Sequence, residues 1–525
     1  MKKKVAIITC FFFLFSIAIA GYTDPLEENT KVINSNILYV GGDGPNNYTK
    51  IQDAIDDAMD GDTIFVYDDS SPYYESINVD KSIALIGENR NTTIIDGKGG
   101  WVVINITAEG VTIENFTIQN GEYGGIYVYS NYNCIFHNII TKNGWEGIYL
   151  EHSHNNRILC NGITSIDGRA IDIYYSHNNV ITSNFIDSNE AGIILMNASH
   201  NKIFDNKISN HETGGITIWI GYDNIIKNNN LSNNEIGIYL SSSNNSVFNN
   251  SFYRCGIIVD SFHNEIADNT VNGKPLLYLE GHSDEIIEKE AGQIILVNCN
   301  NITVCHQNIS YTSIGIELLS TKNCNIFNNT FLKCGSSVFL YNSNNNQITK
   351  NYCSNSDDAI ILWYGMNNEI ADNAIKNISY GIHLRASNIN YVKGNIITHG
   401  EEGILMSGEM NKIINNTIFN MTKEAIWMTS SDLNVIRKNN IGHNKYGIFI
   451  TGKYKGSLFN LIAGNVIHNN EFGIYIENGY YNLFCNNWFI NNDKHVSAIY
   501  LDRLILNIWI MNHWDLLLAK FIQQN

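Results

Sequence analysis

The stretch HNNVITSNFIDSNEAGIIL, residues 177–195, decides the fold. Asn179 and Asn184 stand five apart around aliphatic residues that alternate as a strand does, although asparagine is disfavoured in strands. The same pair returns as Asn133 with Asn138, Asn156 with Asn161, Asn346 with Asn351 and Asn434 with Asn439. A small residue followed by an aliphatic one keeps the same period: Gly147-Ile148, Ala170-Ile171, Gly192-Ile193, Gly215-Ile216 and Gly237-Ile238. In the second half Gly315, Ser337, Ala359, Gly381, Gly403, Ala425 and Gly447 are each 22 apart.

Short period-two segments recurring every 22 residues leave no room for helical crossovers, so the chain reads as an all-β parallel β-solenoid with one repeat per coil. About seventeen coils run from Ile126 to Ile499, after two or three less regular ones. At ~4.8 Å per coil the rod is on the order of 80–95 Å long. The asparagines then become a ladder of stacked amides bracketing each short strand. They also suit the left-handed corners that tight coils require.

Such a rod needs closed ends. Ile51, Ala54, Ile55, Ala58 and Met59 share one face of a short N-terminal capping helix, with Thr49 and Gln52 as a capping box and Gly61 as its stop. The expected organisation is a signal peptide at 1–20, a lead-in at 21–46, the β-helix at 47–500 and a C-terminal cap at 501–525. Ile257 and Ile294 hold equivalent positions but are 37 apart, so an insertion at about 273–287 leaves the rod as a loop. Long excursions of this kind often sit on a solenoid's binding face, and a plain surface loop fits the spacing equally well.

Lys2, Lys3 and Lys4 precede the apolar run Val5 to Ile19, and Ala18-Ile19-Ala20 suits a signal cleavage site. The run is short for a membrane-spanning helix, and no later segment is long and apolar enough, so a secreted or cell-surface protein without an integral membrane segment is expected. Cleavage would take the net charge from −18 to about −21. That excludes nucleic acid as a partner and repels polyanionic sugars unless a divalent cation bridges the two. Nine of the ten cysteines lie beyond the leader, an odd number; Cys353 shares a column with Phe331, Ile375 and Ile397 and reads as a core residue. Sequons at Asn47, Asn197, Asn301, Asn377 and Asn420 are compatible with a surface setting.

In a solenoid, residues one repeat apart are neighbours, so function is sought in columns. Outward positions of the strand after the small residue carry Tyr127, Tyr149, Tyr239, Phe339 and Trp427 in one column and Tyr129, Tyr174, Trp219, Tyr341 and Trp363 in the next. These rings offer platforms for sugar faces, or simply stabilise the sheet as cross-strand pairs. Asp358, His383, Arg385, Glu402 and Glu424 converge beside Trp363 and Trp427. Glu402 with Glu424, one coil apart, and Asp358 with Glu402, two coils apart, suit the carboxyl separations of retaining and inverting glycosidases. His383 and Arg385 would suit a lyase as base and electrostatic stabiliser. His154, His177 and His200 occupy one turn of three consecutive coils and are the candidate metal ligands. No cofactor is required by this reading; Ca or Cu would be the ions to consider.

Tyr48-Thr-Lys-Ile-Gln-Asp-Ala-Ile, Gly61-Asp-Thr-Ile and Val79-Asp-Lys-Ser-Ile-Ala-Leu-Ile-Gly, followed by the Asn-rich coils, resemble the NosD-like β-helix proteins, within the carbohydrate-binding proteins and sugar hydrolases. Asn272-Gly-Lys-Pro-Leu-Leu-Tyr, Ala291-Gly-Gln-Ile-Ile-Leu-Val-Asn-Cys and Asn507-Ile-Trp-Ile-Met-Asn-His-Trp look like secreted archaeal members. The resemblance implies a single-stranded right-handed parallel β-helix of pectin-lyase-like fold over nearly the whole exported chain. For function it implies three directions: copper loading into nitrous oxide reductase, surface proteins of no established activity, and cleavage or epimerisation of polysaccharides. A fold so widely shared does not choose among them. The expectation is a non-catalytic glycan-binding or scaffold protein whose partner is an extracellular polysaccharide or glycan. A polysaccharide lyase, hydrolase or epimerase and a copper-handling protein are the alternatives, and the oligomeric state is left open.

Overall fold

The computed structural model describes residues 35–452, 456–499 and 506–515; the signal peptide expected at 1–20 lies outside them. The chain is a parallel β-solenoid of about 21 turns of ~22 residues, with one seven-residue helix among the described residues. Successive coils stack in register, as in the column Ile135, Ile158, Ile181, Ile203 and Ile226. Each of these side chains is fully buried, which stabilises the fold by ~1.5–3 kcal/mol apiece.

The asparagines behave as a ladder. The Asn179 backbone N–H donates to Oδ1 of Asn201 in the next coil at 2.9 Å, and its Nδ2 donates to the same oxygen and to the Ser153 carbonyl, both at 3.1 Å. Asn184 repeats the arrangement with Asn206 and the Ile158 carbonyl. The expected left-handed conformation belongs to a different residue. Asn178 (φ 59°) and Ser183 (φ 57°) take it, as do Tyr132, His137 and Cys160 before other ladder residues. The corner residue turns the chain so that the next side chain can point inward, and the ladder asparagine itself stays out of the left-handed region.

The helix Ile51–Asp57 covers the first coil through buried Ile51, Ala54 and Ile55, with Ala58 just beyond. The capping box does not form: Lys50 is the N-cap and offers no side-chain bond. Glu75, from the neighbouring coil, accepts the Ile51 and Gln52 N–H groups at 2.9 and 3.0 Å. Gln52 reaches instead to Asp56 and to the backbone of Asn78. Met59 is 64% exposed, because the helix ends two residues before it and no longer sets its direction. The first strand, Ile37–Val40, lies in the expected lead-in and pairs with Thr63–Val66.

The 273–287 segment is not a loop. Thr270–Val271 turns at Asn272 (φ 51°) and Gly273 (φ 79°) into Lys274–Glu280, which runs antiparallel to it. Lys274–Glu280 then pairs in parallel with Gln293–Val297, and Ile286–Ile287 pairs with Thr303–Cys305, so a second solenoid segment starts inside the insertion. Ile294 and Leu296 face the core of this second segment, whereas Ile295, Val297 and Leu319 face outward and are buried against the core of the first.

The last outer strand of the first segment, Ile257–Val259, therefore meets side chains where a coil would have been. The Ile257 N–H donates to Gln293 Oε1 at 2.9 Å and its carbonyl accepts from Gln293 Nε2. The Gly256 N–H donates to Ser313 Oγ at 3.1 Å, and the Val259 N–H is shared by both Glu317 oxygens at 3.3 Å. An otherwise open sheet edge is thereby satisfied. At the other end, residues 506–515 of the expected cap continue the solenoid: Ile508–Ile510 and His513–Trp514 pair with the preceding coil, and Trp509 and Trp514 stack on Phe484 and Phe489. The nine cysteines of the described residues are free thiols, and Cys353 is buried in its expected column.

Candidate functional site

The junction creates a cleft of about 620 Å³ between the end of the first segment and the outer sheet face of the second. Tyr239, Ile258 and Asp260 form one side; Phe339, Tyr341, Ile361 and Trp363 form the other, with Glu317 between them. Tyr341, Trp363 and Arg385 follow one another in register on adjacent strands. Trp363 meets Phe339 edge-on at 5.5 Å and carries the Arg385 guanidinium over its ring at 5.2 Å. At one lip Arg254 and Lys333 both lie over Tyr311. Thr312, almost wholly buried, has a hydroxyl with no partner in the protein.

The charges are shaped by burial. Glu317 is 2% exposed and burial holds its carboxyl well above the usual glutamate range, opposed only by the Val259 N–H. Asp260, which accepts from the Tyr239 hydroxyl at 3.4 Å, is also raised by burial. Burial and neighbouring Asp357 push Asp358 up to about 6. Neither Glu317 nor Asp260 was marked by the sequence, because both acquire their setting from the junction.

Beside the cleft the expected patch assembles. Asp358, Tyr380, Glu402 and Glu424 are register neighbours on successive strands, and Ile361, His383, Leu405 and Trp427 form the adjacent column. Burial, with Glu424 close by, raises Glu402 to about 7; Glu424 is raised by burial as well. Burial, with Arg385 nearby, lowers His383 to about 4, so the imidazole is neutral and its 3.9 Å approach to Asp358 is a polar contact. His383 Nε2 and Trp427 Nε1 are buried without partners.

The aromatic face is interrupted. Tyr127 and Tyr149 pack with their rings tilted by 53° at 4.9 Å, but Asp172, Ile194 and Thr217 succeed them in register before Tyr239. Tyr127 is itself buried and donates to Glu146 at 2.6 Å. Tyr129 remains exposed, and Tyr174 packs edge-on against Tyr175 at 4.5 Å. Trp219 does not belong to the Tyr129 and Tyr174 column. It is the extra residue of a bulge that pairs Met196 with Ile220, which leaves its ring 46% exposed beside Tyr239.

Two of the three turn histidines stack, whereas His200 (φ 58°) lies one residue out of their column at the left-handed corner. The rings of His154 and His177 are parallel within 8° at 5.2 Å. Nδ1 of His154 accepts the His177 N–H and Nδ1 of His177 accepts the Ser199 N–H, each at 3.0 Å; His200 turns to Asp223 at 3.7 Å. Among the described residues one group of three donors does converge, Glu288, Cys305 and His306, with ligand atoms within 4.8 Å of one another.

A family model described as "Periplasmic copper-binding protein (NosD)" matches residues 55–254, 153–286, 212–334 and 333–509. No curated protein matches the chain. Solved structures with a similar course include DFA-IIIase from Arthrobacter chlorophenolicus A6 in complex with GF2, at 13% identity over 60% of this chain and 94% of that one, TM-score 0.38. An alginate lyase from Paenibacillus sp. str. FPU-7 follows at 12% identity, 60% and 95% coverage and TM-score 0.33. The pectate lyase Pel9A matches at 13% identity, 46% and 82% coverage and TM-score 0.33. At these scores the likeness carries no argument about activity. Copper calls for imidazole and sulfur donors aimed at one point. The turn histidines spend two Nδ1 atoms on backbone N–H groups and do not fit; the Glu288, Cys305 and His306 group supplies the right donor types.

Proposed function

We propose that this chain, which belongs to the family described as periplasmic copper-binding protein (NosD), is an exported glycan-binding protein whose ligand lies in the junction cleft. The observation that carries the reading is one cleft in which the rings of Tyr239, Tyr341 and Trp363 line the same space as the Thr312 hydroxyl, which has no partner in the protein, and the Asp260 and Asp358 carboxyls. Aromatic faces take the apolar side of a pyranose while hydroxyls and carboxyls take its rim. Lys2, Lys3 and Lys4 ahead of the apolar run Val5 to Ile19 fit a secretory leader, and that pattern supports an extracytoplasmic setting.

A glycan array probed with the exported chain tests it. Wild type binds a defined glycan class, and Tyr341→Ala and Trp363→Ala each weaken that binding about tenfold, roughly 1.4 kcal/mol, while keeping the wild-type melting curve. Binding to nothing, or unchanged binding by both variants, rejects the proposal.

A catalytic reading is favoured by one observation: Glu402, raised to about 7, stands in register with Glu424 on the next strand. Adjacent strands lie ~4.8 Å apart, close to the carboxyl spacing of a retaining glycosidase. Incubating the same glycans and scoring new reducing ends and unsaturated products separates binding from cleavage; products at baseline dismiss catalysis.

A further inference from the structure

We infer that Glu288, Cys305 and His306 form a binding site for a thiophilic metal ion, copper(I) or zinc, at the first corner of the second solenoid segment. Ile286 and Ile287 pair with Thr303 and Val304, which sets Glu288 beside Cys305. Glu288 Oε1 is 3.6 Å from the Cys305 sulfur and 4.0 Å from His306 Nδ1. His306 (φ 59°) is the left-handed corner residue that directly follows Cys305. Phe327 from the next coil steadies the ring edge-on at 6.0 Å.

The repeat supplies its own control. The register partners of Cys305 in the next four coils are Phe327, Thr349, Ala371 and Lys393, followed at the corner by Asn328, Lys350, Asp372 and Gly394. A solenoid corner does not need a thiol followed by an imidazole; only this coil has them. Nor is Glu288 committed elsewhere as its neighbours are. Glu285 is held by His282 at 2.7 Å and Glu290 by Lys274 at 2.6 Å, whereas the contacts of Glu288 are Cys305 and His306.

Sulfur and imidazole select soft or borderline ions over calcium and magnesium. Such ions make bonds of ~2.0–2.3 Å to these donor types, so donor atoms separated by 3.6 and 4.0 Å can share one ion. Cys305 is buried while Glu288 and His306 are exposed, so the ion would enter from solvent and keep an outward coordination position. Binding requires the thiol to lose its proton, so one proton is released per ion taken up. The inference stands apart from the carbohydrate reading, because the cluster is not part of the junction cleft.

The test is competition against a chromophoric chelator, run with copper(I) under reducing anaerobic conditions and separately with zinc, on the exported chain. Wild type takes one equivalent of at least one ion. Cys305→Ser and His306→Gln each weaken that uptake at least tenfold, and the bound ion slows alkylation of Cys305 as read by mass spectrometry. Cys485→Ser and His154→Ala leave uptake unchanged. His306 is exposed, so His306→Gln keeps the fold even if Cys305→Ser does not. No uptake of either ion, uptake unaltered in His306→Gln, or equal loss in the Cys485 and His154 controls overturns the inference.

Discussion

At the scale of single residues, the ladder is where polar chemistry stabilises the fold. Asn179 is fully buried and satisfies three backbone or amide groups in the coils on either side, including the Asn156 N–H at 2.8 Å. Replacing it with leucine keeps the volume and strands those groups without water. The expected cost is about 1–3 kcal/mol, read as a lower denaturant midpoint. Asn178, one residue earlier, gives the contrasting result. Its side chain is not the ladder but its φ is 59°, so Asn178→Gly is tolerated while Asn178→Val, which resists that conformation, destabilises. A ladder role assigned to the wrong asparagine would reverse these outcomes. The spacing of amides was legible because period and burial both follow from it. The left-handed corner was placed one residue late because composition does not say which of two adjacent asparagines turns the chain.

At the scale of elements, the junction depends on side chains doing the work of a strand. Glu317 accepts the Val259 N–H from a buried position, and burial holds its carboxyl well above the ordinary value. The folded chain thus keeps a proton that the unfolded chain surrenders. Stability is whole below the ordinary glutamate pKa and falls as pH rises toward the folded value. Glu317→Gln retains an acceptor for Val259 without the ionisation. The variant is expected to match wild type in melting temperature near about pH 4 and to exceed it near about pH 8. Glu114 and Glu402, each raised to about 7, contribute the same sign in both proteins, so the difference between the two melting curves isolates Glu317. An unchanged difference across pH refutes the assignment. The junction was partly readable: Asn272-Gly273 is a two-residue hairpin signal. Matching Ile257 to Ile294 by column hid it, since columns assume that the chain never reverses.

At the scale of the molecule, the repeat was legible almost throughout, while the cleft was not, because its walls come from residues as distant as Tyr239 and Trp363 and exist only where two segments meet. The aromatic columns were visible as residue types; that Asp172 and a bulge at Trp219 break them was a matter of register. Under the proposed glycan-binding function, the charge of the whole chain sets which glycans the cleft would accept. With a net charge of −18, and with Asp260, Asp357 and Asp358 lining the cleft against Arg254 and Lys333 held at one lip, an anionic polysaccharide meets repulsion on approach and at the wall. A neutral glycan meets neither. Titration calorimetry should therefore show affinity for a neutral glycan that is indifferent to salt and to chelator. Affinity for a polyuronate should be weak at low ionic strength, rise as salt shortens the ~10 Å screening length, and rise further with calcium, which bridges carboxylates on both sides. Chelation should reverse the calcium effect alone. Tight binding of a polyuronate at low salt without a divalent ion would mean that Arg254, Lys333 and Arg385 dominate the cleft, and that local cations outweigh the field of the whole molecule.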